Sequence, residues 1–254
     1  MTELSEFRKF IELLVRESGR IIKMYFRQDI RIEIKTDNSP VTIADKKAEE
    51  RLRKLIEKEF PDHGIWGEEF GKTNESAEYQ WVLDPIDGTK SFIYGVPLFG
   101  TLIALMRNGQ PILGSIHLPV QNELLTGDNK QTDLNGRAVS FRACTSLSDA
   151  VLLFTDYEHF SRYQNRKKFD RLLQKVSMSR TWGDCYGYYM VATGRADIMI
   201  DAIMSPWDIM ALVPVIRGAG GVITDYDGSD PVEGNSIIAA AKNIHSEVVN
   251  LLNQ

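Results

Sequence analysis

The sequence predicts layered sheets sandwiched by helices, an α+β half leading into an α/β half, and three observations predict it. Residues 1–145 read as amphipathic helices followed by nearly continuous apolar strands joined by short turns, the pattern of an antiparallel sheet. Residues 146–254 alternate strand and helix. No repeat, low-complexity tract or long linker separates the two, so residues 1–254 are expected to form a single unit of two tightly packed halves.

Residues 4–26 place Leu4, Phe7, Phe10, Ile11, Leu14, Ile21, Met24 and Tyr25 at helical spacing, which predicts a long amphipathic helix. Residues 31–35 alternate as a strand does, and Thr36-Asp37-Asn38-Ser39-Pro40 is rich in turn formers. Thr42 and Asp45 then start a second helix, with Ala48, Leu52, Leu55, Ile56 and Phe60 inward and Pro61 as its stop. Ile65-Trp66-Gly67 is a short apolar run ending in Glu68-Glu69, which alone reads as a solvated loop. Trp81-Val82-Leu83 reads as a strand entering a core, ended at Asp84 by a sharp turn that reaches Gly88 and a helix start.

Residues 98–106 and 112–118, separated by Arg107-Asn108-Gly109-Gln110, predict a β-hairpin in a core sheet. Residues 121–135 read as a polar loop, and Asn135-Gly136 as a turn. Beyond them, residues 150–154, 196–200, 221–224 and 236–240 read as strands. Residues 160–176 read as a basic, solvated helix, and residues 183–192, 207–217 and 243–252 as further helices. Gly218-Ala219-Gly220-Gly221 follows a helix instead of preceding one, so it is a cap and not a dinucleotide-binding loop.

Composition narrows the function. With 43% hydrophobic and 26% charged residues, a chain of 254 residues can bury a sizeable core. Its 30 basic residues are scattered and outnumbered by 35 acidic ones, which argues against a nucleic-acid or anionic-membrane surface and leaves small solutes as expected partners. The start, Met1-Thr2-Glu3-Leu4-Ser5-Glu6, lacks the basic residues and apolar run of a signal peptide, and no stretch reaches the ~18 apolar residues of a membrane span. A cytoplasmic location is expected. Cys144 and Cys185 stand far apart without a partner motif and read as reduced, buried thiols.

Chemistry gathers around Asp84-Pro85-Ile86-Asp87-Gly88-Thr89. Pro85 stiffens the turn, so Asp87 can swing back toward Asp84, while Gly88 admits a ligand close to the backbone and Thr89 adds a hydroxyl beside free amides that suit phosphate. Paired carboxylates, a carbonyl such as that of Ile86 and a phosphate position are the ingredients of a Mg²⁺-dependent phosphoryl-transfer site. Pro206-Trp207-Asp208 adds a third acidic signal, although Asp208 alone reads as a helix cap.

Taken together, Gly67-Glu68-Glu69, Asp84-Pro85-Ile86-Asp87-Gly88-Thr89-Lys90-Ser91-Phe92, and Trp207-Asp208 with Gly220-Gly221 beyond it resemble the inositol monophosphatase family of Mg²⁺-dependent, Li⁺-sensitive phosphatases. Lys35 with Ser39-Pro40-Val41-Thr42-Ile43-Ala44-Asp45 is similar to that family's upstream motif, and the resemblance covers nearly the whole chain. It implies the layered α-β-α-β-α sandwich shared with fructose-1,6-bisphosphatase. It also implies that Glu68, Asp84, Asp87 and the Ile86 carbonyl hold two or three Mg²⁺, with Asp208 anchoring the second metal from the C-terminal half. Asp45 and Thr89, with Glu68, would position the attacking water, and Gly88 and Thr89 would bind phosphate. A homodimer is implied as well.

The physical chemistry agrees with that ligand set. Clustered carboxylates repel one another and titrate high until a divalent cation relieves them. An all-oxygen set suits Mg²⁺, and His63, His117, His159 and His245 match no metal spacing that would favour zinc. The implied reaction is in-line attack of a metal-activated hydroxide on a phosphate monoester, with no covalent intermediate. A haloacid-dehalogenase-type aspartyl phosphatase also has an Asp-Gly-Thr ending. Its two aspartates lie two apart near the chain start, whereas Asp84 and Asp87 lie three apart, with Pro85 between them, deep in the chain.

For the substrate, Thr181-Trp182-Gly183-Asp184-Cys185-Tyr186-Gly187-Tyr188 resembles the histidinol-phosphate phosphatase branch of the family, as do the residues 87–92 and 97–105. A carboxylate at Asp184 suits an ammonium and an imidazole, although Asp184 reads equally as a helix N-cap. Asp201 falls where the family commonly has a Glu contacting the leaving alcohol, one methylene shorter, and Asp208 would face the substrate beside it. Glu69 stands either behind the ligands or on the surface. Two alternatives remain: an inositol-1-phosphate or broad sugar phosphatase, and a catalytically silent phosphate-sensing or scaffold protein. The complete set of metal-binding carboxylates speaks against the second.

Overall fold

Two sheets are built from strands buried on both faces, and that double burial explains their nearly continuous apolar runs. A computed structural model describes residues 3–35 and 40–254. Met1 and Thr2 of the chain start and Thr36 to Ser39 of the predicted turn lie outside the described residues. In chain order the elements are α1 (Glu3–Tyr25), β1 (Ile32–Ile34), β2 (Pro40–Thr42), α2 (Ile43–Glu59), β3 (Gly64–Gly67), β4 (Gly71–Thr73), β5 (Tyr79–Asp87), α3 (Thr89–Ile93), β6 (Gly100–Arg107), β7 (Gln110–Leu118), β8 (Glu123–Gly127), β9 (Thr132–Leu134) and β10 (Arg137–Val139). The C-terminal part adds β11 (Val151–Phe154), α4 (Tyr157–Tyr163), α5 (Arg166–Leu173), β12 (Met178–Arg180), α6 (Asp184–Ala192), β13 (Ile198–Asp201), α7 (Pro206–Gly218), β14 (Val222–Thr224), β15 (Ile237–Ala240) and α8 (His245–Asn253).

The large sheet runs β10-β9-β8-β7-β6-β5-β3-β4 and is antiparallel except where β3 pairs with β5. The small sheet runs β12-β11-β13-β15-β14, with β11 parallel to both its neighbours. Alternation assigns each face. Trp81, Leu83, Ile103 and Leu105 pack with Phe10, Ile11, Leu14, Leu52 and Ile56 of α1 and α2. Val82, Leu102, Ala104 and Ile116 face the other way, onto α6 and α7, whose far side meets Met199, Ile237 and Ala239 of the small sheet. Ile198, Ile200, Ile238 and Ala240 then pack under Phe160, Phe169, Leu172, Val248 and Leu252 of α4, α5 and α8. The stack is α-β-α-β-α, as the resemblance implies. No helix is long and apolar enough to cross a membrane among the described residues.

Three local expectations are corrected. Residues 121–135 are not a loop: β8 and β9 extend the large sheet. Their strand character is masked where α7 comes closest, since a Cβ on Gly127 would stand 2.5 Å from Val215 Cα and only glycine fits there. The basic helix of residues 160–176 is two helices, broken where Asn165 caps α5 by accepting from the Lys168 amide. The bend lets the rings of Phe160 and Phe169 stack, centroids 3.5 Å apart.

The third correction bears on the site. β5 does not end at Asp84 but runs to Asp87, with a register shift against β6. Asp84 opposes Leu102 and Asp87 opposes Gly100, so Pro85 and Ile86 together face Thr101. Residues three apart on a regular strand point to opposite faces; one extra residue turns Asp87 back to the side of Asp84. Pro85 carries no N–H and is tolerated at the bulge, and its carbonyl accepts from the Thr101 hydroxyl at 2.8 Å.

Helix α7 is fixed on the sheet by close approach. A Cβ on Gly114 of β7 would stand 2.1 Å from the Ala211 carbonyl oxygen, and Thr132 of β9 donates to the Val215 carbonyl at 2.7 Å. We expect Gly114→Ala to lower the unfolding free energy by about 1–3 kcal/mol, the usual cost of overpacking, and to shift the urea midpoint accordingly. An unchanged midpoint would show that α7 is free to lift.

Candidate active site

The bulge in β5 and the N-terminus of α7 meet. Asp84 shares the face of Val82, toward α7, and Asp208 is the third residue of that helix. Asp84, Asp87 and Asp208 each bring an oxygen within 4.8 Å of the others. Backbone amides aim two of the carboxylates. The Asp87 Oδ2 accepts from the Cys185 amide at the start of α6. The Asp208 Oδ2 accepts from the Ser205 amide at 3.0 Å, the return half of a capping box, so cap and site are one residue. Asp84 Oδ1 is buried with no partner among the described residues.

Asp45 repeats the design at the start of α2. Its Oδ2 accepts from the Thr42 amide at 2.8 Å and the Thr42 hydroxyl at 2.5 Å. Glu68 and Glu69 follow β3, and both bind the Lys35 ammonium at 2.7 Å, so Glu69 stands beside the ligands, ion-paired and not on open surface. Their loop is held by Glu49, which accepts from the Glu69 amide at 2.8 Å and the Phe70 amide at 3.2 Å. A side chain on Gly67 would collide with the Glu49 carboxylate. The Thr89 hydroxyl donates to the Ile86 carbonyl at 3.0 Å, so that carbonyl is not free, though its second lone pair is unused by this bond.

Burial dominates the electrostatics. Asp84 is pushed well above the carboxylate range by burial, then by Glu68, Asp87 and Asp208. Asp87 rises through burial and Asp208. Asp208 reaches about 7 and Asp45 about 6, burial again leading, and Glu69 reaches about 7 through burial against the pull of Lys35. Burial works against the Lys35 charge, yet its hydrogen bonds to Glu68 and Glu69 hold its pKa well above the usual value. An orphaned carboxylate oxygen inside an all-oxygen cluster of this charge fits a hard divalent cation such as Mg²⁺.

Glu68, Gly88, Thr89 and Asp184 line one cavity of about 350 Å³. Gly88, at φ +86°, is the only residue type that suits both its left-handed backbone and its surroundings, since a Cβ there would meet Asp184 Oδ2 at 3.1 Å and the Leu98 carbonyl at 3.2 Å. Asp184 is not the N-cap: Gly183 is, and Asp184 opens α6 at φ +50° with its amide donating to the Thr155 hydroxyl at 2.8 Å. Each Asp201 oxygen accepts one internal bond, from the Thr155 amide at 3.3 Å and the Tyr188 hydroxyl at 2.9 Å, which holds the carboxylate in place and leaves each oxygen one further lone pair.

Sequence reading passed over Thr155, Asp156 and His159, which complete the cavity wall. The available signal was position: they follow strand β11, and ligand sites in α/β sheets gather beyond the C-terminal ends of strands. Glu49 carried no signal, being one charge among many on an amphipathic helix.

Comparison with known proteins agrees with this geometry. The profile described as the Inositol monophosphatase family matches residues 3–254. The chain is 47% identical over 230 residues to the Bifunctional phosphatase IMPL2, chloroplastic, of Arabidopsis thaliana, a match spanning 89% of this chain and 66% of the plant protein. It is 39% identical to a Histidinol-phosphatase of Chlorobaculum parvum over 89% of each chain. A solved inositol monophosphatase from Zymomonas mobilis superposes end to end, with a TM-score of 0.89 at 33% identity.

Raised carboxylate pKa values make metal-free stability depend on pH. Groups whose folded pKa lies above the unfolded value stabilise the fold below about pH 4, and that stability is lost as pH rises through 6 to 7. With chelator, the melting temperature is expected to fall between pH 5 and 8, reflecting on the order of a few kcal/mol. Saturating Mg²⁺ should flatten the curve. A flat curve in chelator would mean that the carboxylates do not strain the fold.

Proposed function

Because the chain belongs to the inositol monophosphatase family, we propose that it acts as one catalytic unit that hydrolyses L-histidinol phosphate to L-histidinol and phosphate with Mg²⁺. The observation that carries this reading is the carboxylate of Asp184 beside Gly88, in a cavity whose wall also holds Asp156. An anionic wall next to the phosphate position suits a leaving alcohol that bears an ammonium and an imidazole. The likeness to named histidinol-phosphatases supports it.

Glu68, Asp84, Asp87, the Ile86 carbonyl and Asp208 would hold the metal ions. Bound Mg²⁺ would lower the pKa of a water and offset charge on the phosphoryl and leaving oxygens. The remaining work belongs to the chain. Thr89 spends its proton on the Ile86 carbonyl, so its oxygen is an acceptor that can orient a water proton. Asp45 has Oδ2 tied to Thr42, which leaves Oδ1 to back that water. The turn at Gly88 lets phosphate approach the backbone amides that follow Asp87. The cavity wall and the Asp184 carboxylate would fix the alcohol side.

A polyol phosphate is the second reading, favoured by the end-to-end likeness to an inositol monophosphatase and by the Thr155 hydroxyl near the cavity. The two are separated by kcat/KM measured side by side on L-histidinol phosphate and myo-inositol 1-phosphate with Mg²⁺. We expect a clear preference for the former, and Asp184→Asn to cost it about 10–100-fold while costing the inositol ester less than about threefold. Equal losses on both would leave Asp184 a backbone element of α6. Asp87→Asn should reduce turnover by orders of magnitude with the fold intact, and a folded, active variant would sink the ligand assignment.

A further inference from the structure

The second large cavity shares no lining residue with the first. It measures about 630 Å³ and opens between α1 and the turns at the ends of β7 to β10. His117 points into it from β7, on the face opposite Ile116 and Leu118. The ring is 7% exposed, and its Nδ1 is buried with no hydrogen-bond partner among the described residues. Gly19 stands in the middle of α1, where glycine weakens a helix. A Cβ at that position would lie 2.6 Å from His117 Cε1, so the glycine is what admits the ring. Two features unfavourable to folding, a helix glycine and a buried ring nitrogen without a hydrogen-bond partner among the described residues, therefore meet beside one cavity.

The surrounding wall is cationic. Arg16, Arg20 and Lys23 follow one stripe of α1, all exposed, and none forms an ion pair among the described residues. Glu12 is the carboxylate that accompanies them, leaving a net charge of about +2, the complement of a phosphate monoester dianion. Val15, Met24 and Leu124 add apolar surface. The opposite rim is rigid. Asn135 accepts from the Leu124 amide at 3.0 Å and donates to the Asn122 carbonyl at 3.3 Å.

We infer that this cavity is a ligand site separate from the acidic one, and that it takes a small organic phosphate. Arg16, Arg20 and Lys23 hold the phosphate, while His117 exchanges a hydrogen bond with the organic part. Burial and Lys23 push His117 down to about 4, so its ring is neutral and free to donate or accept near neutrality. The volume suits a ligand of that size.

The test uses the full chain in chelator, where the uncompensated carboxylates of the other site repel anions. Phenylphosphonate and inorganic phosphate are titrated by calorimetry, and the imidazole resonances of His117 are followed by NMR. Saturable binding of phenylphosphonate is expected, tighter than that of inorganic phosphate, with the His117 signals moving in step. In the doubly substituted Arg16→Gln, Arg20→Gln protein, affinity should drop roughly tenfold or more. Both positions lie on an exposed helix face, so this protein should fold and keep its Mg²⁺-dependent turnover, whatever the substrate. His117→Gln should weaken phenylphosphonate more than inorganic phosphate. No saturation by about 10 mM, a ligand too weak for a built site, would overturn the assignment. So would equal affinity for the two probes, or affinity unchanged in the arginine variant.

Discussion

Three carboxylates within 4.8 Å of one another, Asp84 buried and Asp87 and Asp208 half-buried, cannot all carry charge without a counter-charge, and the rest of the structure is arranged around that repulsion. None of the three sits on an element that could swing away. Asp84 and Asp87 belong to a central strand whose bulge sets their separation, and Asp208 is locked into the first turn of a helix packed between two sheets. Amides rather than cations do most of the aiming, from Cys185 and Ser205, and an amide neutralises little. The Lys35 ammonium is spent on Glu68 and Glu69. The fold thus holds a charge deficit in place, which is the condition for binding a small divalent ion tightly and in a fixed position.

Two helix starts are used twice. Thr42 with Asp45, and Ser205 with Asp208, are capping boxes in which the acidic member also faces the site. In both cases one carboxylate oxygen satisfies a helix amide and the other is left for chemistry. The two readings of Asp208, cap and ligand, are therefore compatible: the cap is formed, and the carboxylate stands in the acidic cluster. Asp184 resolves differently: the N-cap role falls to Gly183, so its side chain is released from helix capping and turned toward Gly88.

Most of the fold was legible because burial on both faces writes itself as continuous apolar runs, and the acidic cluster was legible because Asp84, Asp87 and Asp208 are tied to one bulge and one helix start. What stayed hidden was hidden for physical reasons. β8 and β9 are masked where α7 comes closest, at Gly127. The break between α4 and α5 is marked only by Gln164 and Asn165, two ordinary polar residues. Glu49, Asp156 and His159 act through contacts with segments remote in sequence, to which no local pattern refers. The bulge at Pro85 lies between these cases: the proline announces an interruption, but pairing with β6 decides that the strand continues past it.

The position of α7 between the sheets bears on when the protein becomes competent. Asp84 and Asp87 emerge with β5, whereas Asp208 lies past residue 200, and the strand that covers α7 from the far side, β15, comes later still. A ribosome-bound chain that has already paired β5, β6 and β7 still lacks the third carboxylate and exposes the apolar face on which α7 will dock. The acidic cluster closes only once α7 has docked, so a chain released as far as β7 carries two of the three carboxylates beside an uncovered apolar face.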